Sequence, residues 1–149
     1  MLSYATVDEF LRFDPTTPLS DQQKLLGRLL AHASGLVRHA TRRAIYTTTP
    51  NGLPKDPDLL EAMQEATMVH VQALSDAGLA QAFFTGGATL DATVSSSSID
   101  GASVTVDTST ADSARAALLA GGLAPDAEMI LRDAGLLGGL PGIVYRCAR

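Results

Sequence analysis

The stretch that decides the fold runs from Ser20 to Arg43, SDQQKLLGRLLAHASGLVRHATRR. Apolar residues recur at Leu25, Leu26, Leu29, Leu30, Ala33, Leu36, Val37 and Ala40. Steps of three and four place them on one stripe of an amphipathic helix. Ser20 is predicted as its N-cap, with Gln23 completing a capping box. Asp21 would put negative charge at the positive end of the helix dipole. Lys24, Arg28, His32, His39 and Arg43 fall on the polar side. Arg38, Arg42 and Arg43 collect at the C-terminal end, where cations are favoured. A helix of this length spans about 30 Å, the width of a small domain. Gly27 and Gly35 lie inside it; with Ala31, Ala33 and Ser34 beside it, Gly35 reads as a place of close helix packing, or else of a kink.

Working outward toward the N-terminus, Thr6 with Glu9 three residues on is a capping box that opens a short helix through about Phe13. Asp14-Pro15 ends it, and Thr16-Thr17-Pro18 makes a turn. The short helix folds back on the long one, with Tyr4 as a staple residue against the core.

On the other side, residues 44–49 carry Ile45, Tyr46 and three threonines and favour extended structure. Residues 50–54 form a loop. Asp56 as N-cap and Pro57 as first helical residue then start a second long helix to about Ala77, stopped by Gly78. Its stripe is Leu59, Leu60, Met63, Ala66, Val69, Ala73 and Leu74, and it is the natural antiparallel partner of the first. Phe83-Phe84 reads as an apolar anchor, either core or an exposed contact. Gly86-Gly87 lacks the lysine and the buried strand of a phosphate loop.

Two β-prone runs flank Asp100-Gly101, which predicts a hairpin over about residues 93–107. Thr110 or Asp112 caps a further helix through Ala120. Pro125 opens one more, with Ala127, Ile130, Leu131 and Ala134 inward and Gly135 at its close. The tail, LLGGLPGIVYRCAR, is apolar without helix period. Such a surface either packs on its own domain or docks elsewhere. The fold class is therefore mainly α: a small bundle of two long antiparallel helices with shorter ones, one β-hairpin and an extended C-terminal tail. Residues 1–137 form the domain, and residues 138–149 the tail.

With 149 residues, the chain suffices for one domain with a real core. No apolar run reaches membrane-spanning length. The N-terminus carries acids where a secretory leader has lysines, which predicts synthesis inside the cell. A single cysteine, Cys147, excludes an internal disulfide, gives no metal framework and has no nearby base. His32 and His39 are seven residues apart, too far for a shared ion on one helix. His70 would have to meet one of them across the helix pair. The serines form no nucleophile elbow, and the carboxylates no acid–base pair. The expectation is a protein without catalysis, cofactor or metal.

The net charge of −5 weighs against a role driven by phosphate contacts. Its distribution is uneven: residues 1–55 carry seven Lys/Arg and four Asp/Glu, and residues 56–149 carry four and twelve. That split describes either two solvated faces or a head-to-tail partner, the basic part of one copy meeting the acidic part of the next. The arginines at a helix C-terminus fit DNA reading poorly, since groove-reading helices present their N-terminal part. A small winged-helix regulator and a generic helical interaction module stand as the alternatives.

The order of elements carries a resemblance. A short capped helix after Tyr-Ala-Thr leads to the long helix ending in Arg-Arg. A Pro-rich loop, a second long helix, the Ser-Ser-Ile-Asp-Gly-Ala-Ser-Val-Thr-Val hairpin and a closing Leu-Arg-Asp-Ala-Gly-Leu segment follow. Over residues 4–137 this resembles the head-to-tail connector (adaptor) proteins of long-tailed bacteriophages. Two features depart from that pattern: the tetraserine run ahead of Ile99, and the glycine-rich tail. The resemblance implies a structural virion protein of the neck, made in the bacterial cytoplasm. Its copies form a ring, typically of twelve, below the portal protein. The ring extends the DNA channel, passes the genome without sequence-specific binding, and presents a platform for the stopper or tail-completion protein. Neither enzymatic activity nor membrane is involved. Under that reading Arg38, Arg42 and Arg43 are subunit contacts. Leu136, Leu137, Leu140, Ile143, Val144 and Tyr145 dock on the portal. Ile99, Asp100 and Gly101 touch a neighbour or the downstream ring.

Overall fold

The computed structural model describes residues 2–85, 96–99, 102–105 and 109–137. It is mainly helical. Among the described residues there are five α-helices: α1 (Val7–Phe13), α2 (Gln23–Ala40), α3 (Pro57–Asp76), α4 (Ser109–Leu119) and α5 (Pro125–Asp133). A short 3-10 turn, Ala82–Thr85, follows α3. The backbones of β1 (Ser96–Ile99) and β2 (Ala102–Thr105) pair antiparallel, Ile99 opposite Ala102. Asp100 and Gly101, between them, lie outside the described residues.

The α1 start follows its sequence. Thr6 Oγ1 accepts from the Glu9 backbone N–H, and the Glu9 carboxylate accepts from the Thr6 N–H at 2.7 Å. Those bonds hold the Glu9 carboxyl below its usual range, first through the Thr6 backbone N–H and then through its hydroxyl. Thr6→Ala is expected to lose about 1 kcal/mol of stability, measured by urea unfolding near neutral pH.

The start of α2 differs from the sequence reading. Gln22, not Ser20, is the N-cap residue, and no side chain caps it. Asp21 lies ahead of the first turn, which holds no acid. The reason is the preceding turn: Leu19 is buried, its N–H donates to Thr17 Oγ1, and the Gln22 N–H donates to the Leu19 carbonyl. Anchoring Leu19 in the core keeps residues 19–22 in a turn. The helix also ends sooner than expected, at Ala40. Thr41 Oγ1 turns back to the Val37 carbonyl at 2.9 Å, and Arg42 and Arg43 follow in a turn. Eighteen residues give a helix of about 27 Å.

Gly35 is not a close-packing site. A methyl group there would meet nothing within 4 Å, and one at Gly27 would meet only Val7 Cγ2 at 3.7 Å. Gly35→Ala is accordingly expected to raise the unfolding free energy by up to about 1 kcal/mol, seen as a higher urea midpoint.

For α3, Asp56 Oδ1 accepts from the Asp58 N–H, and Pro57 occupies the first turn, as the sequence predicts. Three helices end alike. Gly78, Gly121 and Gly135 have φ of 69°, 88° and 71°. After α3 and α5 the next residue is a leucine folded back on the last turn: Leu79 N–H to the Leu74 carbonyl, and Leu136 N–H to the Leu131 carbonyl, each at 2.9 Å. This is the Schellman ending with its hydrophobic contact. Arg115 of α4 supplies a further cap, donating to the Ala77 carbonyl at 3.2 Å. Helix α4 begins at Ser109, ahead of the predicted cap positions 110 and 112.

Two apolar clusters form the core. The first joins Phe10, Leu26, Leu29, Leu30 and Ala33 to Val71, Leu74 and Leu79. The second joins Tyr4 and Val37 to Met63, Ala66, Ala127, Leu131 and Leu136. The beginning of α2 thus meets the end of α3, and the end of α2 meets the beginning of α3. A Gln81 to Gln22 side-chain bond ties the same ends together. Ser34 pins the N-terminal segment onto α2: its hydroxyl donates to the Leu30 carbonyl and accepts from the Tyr4 N–H. Val71, which falls outside the predicted stripe, is fully buried, while Leu59, Leu60 and Val69 are only half-buried. Phe84 packs against the first cluster and carries the Arg28 guanidinium 4.0 Å above its ring centre.

No helix among the described residues is long and apolar enough to cross a membrane.

Candidate functional site: a basic corner at the end of α2

Where α2 stops at Thr41, the chain turns and throws Arg42 and Arg43 outward. Both are exposed, as are Arg38 and His39 in the last helical turn. A shallow open groove of about 280 Å³ lies here, lined by His39, Ala40, Arg42, Arg43 and Leu137. Arg42 Nη1 is 3.4 Å from His39 Nε2, a contact that holds the two side chains along one wall. Neither Arg42 nor Arg43 forms an ion pair with a carboxylate among the described residues. Arg38 stands a turn earlier, beside Tyr4. There burial chiefly raises the Tyr4 phenol above its usual pKa, with Tyr46 adding to the effect and the Arg38 charge opposing it. Ile45, two residues past Arg43, is fully exposed at 101%. It is the most exposed of the large apolar side chains among the described residues, and it follows the two exposed arginines closely in the chain.

The structure brings together some predicted site residues and separates others. Arg42 and Arg43, assigned to subunit contact, share the groove with Leu137, assigned to portal docking. Leu136 is removed from the docking group. It is 2% exposed in the second core cluster, because the left-handed Gly135 folds it back on Leu131. Leu140, Ile143, Val144 and Tyr145 lie outside the described residues, as do Asp100 and Gly101. Ile99 is paired in β1. The charge split along the chain also looks different in three dimensions. The acids of early α3, Asp56, Asp58 and Glu61, sit at the same end of the helix pair as Arg38–Arg43, since Val37 and Ala40 share a cluster with Leu59, Leu60 and Met63. Among the described residues, the basic end of α2 and the acidic start of α3 are therefore neighbours and not opposite poles.

His32 and His70 meet across the α2–α3 pair. His70 is fully buried, and its Nδ1 accepts the Ala124 backbone N–H at 3.1 Å. That bond fixes the neutral ring as the Nε2–H tautomer. Burial, and secondarily the nearby His32, pushes its pKa down to about 4. Burial lowers His32 as well. This arrangement seats the start of α5 on α3. It offers no open face for a substrate, and among the described residues no group of three or more His, Cys, Asp or Glu is placed to hold a metal ion.

Ile45 is not among the site residues that the sequence predicts. Its signal was the conjunction of a β-branched residue with a double arginine immediately after a helix stop. Compared with known proteins, the chain matches no family model, no curated protein and no solved structure.

Proposed function

We propose that the protein is a structural head-to-tail connector of a long-tailed bacteriophage. It forms a ring below the portal, extends the DNA channel and receives the stopper or tail-completion protein. The finer architecture in this reading is a small bundle of two long antiparallel helices with shorter helices, a hairpin and a docking tail. The observation that carries it is the exposed Arg42, Arg43 and Ile45, whose arginines meet no carboxylate among the described residues, on a helical domain with a closed apolar core. A fold that buries Leu26, Leu29, Leu74 and Leu131 completely has no need of an exposed isoleucine for its own stability. A surface that combines exposed cations with an apolar residue suits a protein contact, where charge sets register and the apolar group is desolvated.

With Leu136 in the core, portal docking falls to the segment beyond Leu137, which includes Leu140, Ile143, Val144 and Tyr145. Deletion of residues 138–149 is expected to abolish capture by the portal protein in a pull-down while the domain stays folded. Undiminished capture would remove the docking arm from the account. Tight binding of a defined DNA duplex at physiological salt would instead favour the regulator reading.

A further inference from the structure

The basic corner has a matching surface on the same chain. Helix α5 turns Ala127 and Leu131 inward, both fully buried. Its opposite face presents Asp126, Met129 and Asp133 at steps of three and four. Met129 is 55% exposed. Neither Asp126 nor Asp133 has an ion-pair partner among the described residues; the nearby Glu128 is in a loose 3.9 Å contact with Arg132. Ile45, Met129 and Phe13 are the exposed large apolar residues among the described ones. Ile45 follows Arg42 and Arg43 in the chain, and Met129 lies on α5 between Asp126 and Asp133, with Arg132 engaged by Glu128. Phe13 stands between Arg12 and Asp14 and has no single sign.

We propose that the Arg42–Arg43–Ile45 corner of one copy receives the Asp126–Met129–Asp133 face of α5 from a second copy of this chain. The proposal rests on the connector reading and names the surfaces that join its subunits. Two features select this pairing. Charge and apolar content match on both sides, so the aspartates neutralise the guanidinium groups while Ile45 and Met129 leave water together. The competing acidic surface on early α3, Asp58, Glu61 and Glu65, offers no exposed large apolar residue to meet Ile45. The chain's own residues 138–149 are a poor occupant, since they carry Arg146 and Arg149 and no acid. Because the two surfaces differ, the contact is heterologous. Repeated, it closes a ring when the rotation between copies allows.

The test is a charge swap on the full chain, read by sedimentation velocity. Arg42→Glu with Arg43→Glu makes one variant, and Asp126→Lys with Asp133→Lys the other. All four side chains are exposed, and circular dichroism checks that both variants stay folded. Each variant alone is expected to associate at least about ten-fold more weakly than wild type. Mixed in equal amounts, they are expected to regain the wild-type oligomer. In the mixture every reversed corner can meet a reversed α5 face, and every native corner a native one. A mixture that stays as dissociated as its parts overturns the proposal, as does a wild-type chain that is monomeric at its highest soluble concentration. A restored species that stops at two copies keeps this contact and overturns the ring. A wild-type ring that survives both charge reversals overturns this contact and leaves the connector reading standing.

Discussion

As the pH falls from 6.5 to about 4, the protein is expected to lose on the order of 3 kcal/mol of stability through His70. The sign follows from the burial. In the unfolded chain the imidazole takes up a proton near pH 6.5, whereas in the fold it stays neutral until about 4. Between those values the unfolded state binds more protons. The contribution is complete above 6.5 and disappears as the pH drops through the window. His32, lowered by the same burial, acts in the same direction. Glu9 is held below its usual range and adds its own loss in more acidic solution. Protonation of His70 also removes the acceptor for the Ala124 N–H, so α5 is the element expected to loosen first. Urea unfolding at a series of pH values reads this directly. His70 should contribute close to one proton's worth of the wild-type slope between 4 and 6.5, about 1.4 kcal/mol per pH unit at its steepest. His70→Gln should flatten it, whatever that variant's stability at pH 7. An unchanged slope would mean that His70 titrates normally and is not buried as described.

Leu136→Ala is expected to cost the isolated protein about 2–5 kcal/mol. The side chain is 2% exposed, packed in the second cluster with Ala127 and Leu131, and held there by the 2.9 Å backbone bond from Leu136 to Leu131. Truncation leaves a cavity between α3 and α5 that rigid helices close only in part. Leu137→Ala, half-buried at the groove, should cost distinctly less. A docking residue would behave in the opposite way, with no loss in the free chain and a loss only of portal binding. Thermal or urea denaturation of the two variants side by side distinguishes the roles.

Local chemistry was legible in the sequence where neighbours alone decide it. The Thr6–Glu9 box and the Asp56-Pro57 helix start lie within one turn and were read correctly. Ser20 was misread because a contact distant in sequence, the burial of Leu19, holds the chain in a turn past the best capping residue. The sequence places Leu136 with the tail because the apolar residues from 136 onward show no helix period. A left-handed glycine at 135 already implied that the next apolar residue folds back on the helix. The groove joins residues 39–43 to Leu137, nearly a hundred positions away, and only the seating of α5 against α3 brings them together. Ile45 carried no periodic signal, since exposure of a single residue after a helix stop depends on what the rest of the fold leaves uncovered.

The proposed connector function requires that the chain form a ring at a portal. Electron microscopy of the purified protein, alone and mixed with a portal protein encoded beside it, reads this in one step. A ring seated on the portal axis, lost when residues 138–149 are removed, is expected. Free monomers beside undecorated portals would overturn the proposed function.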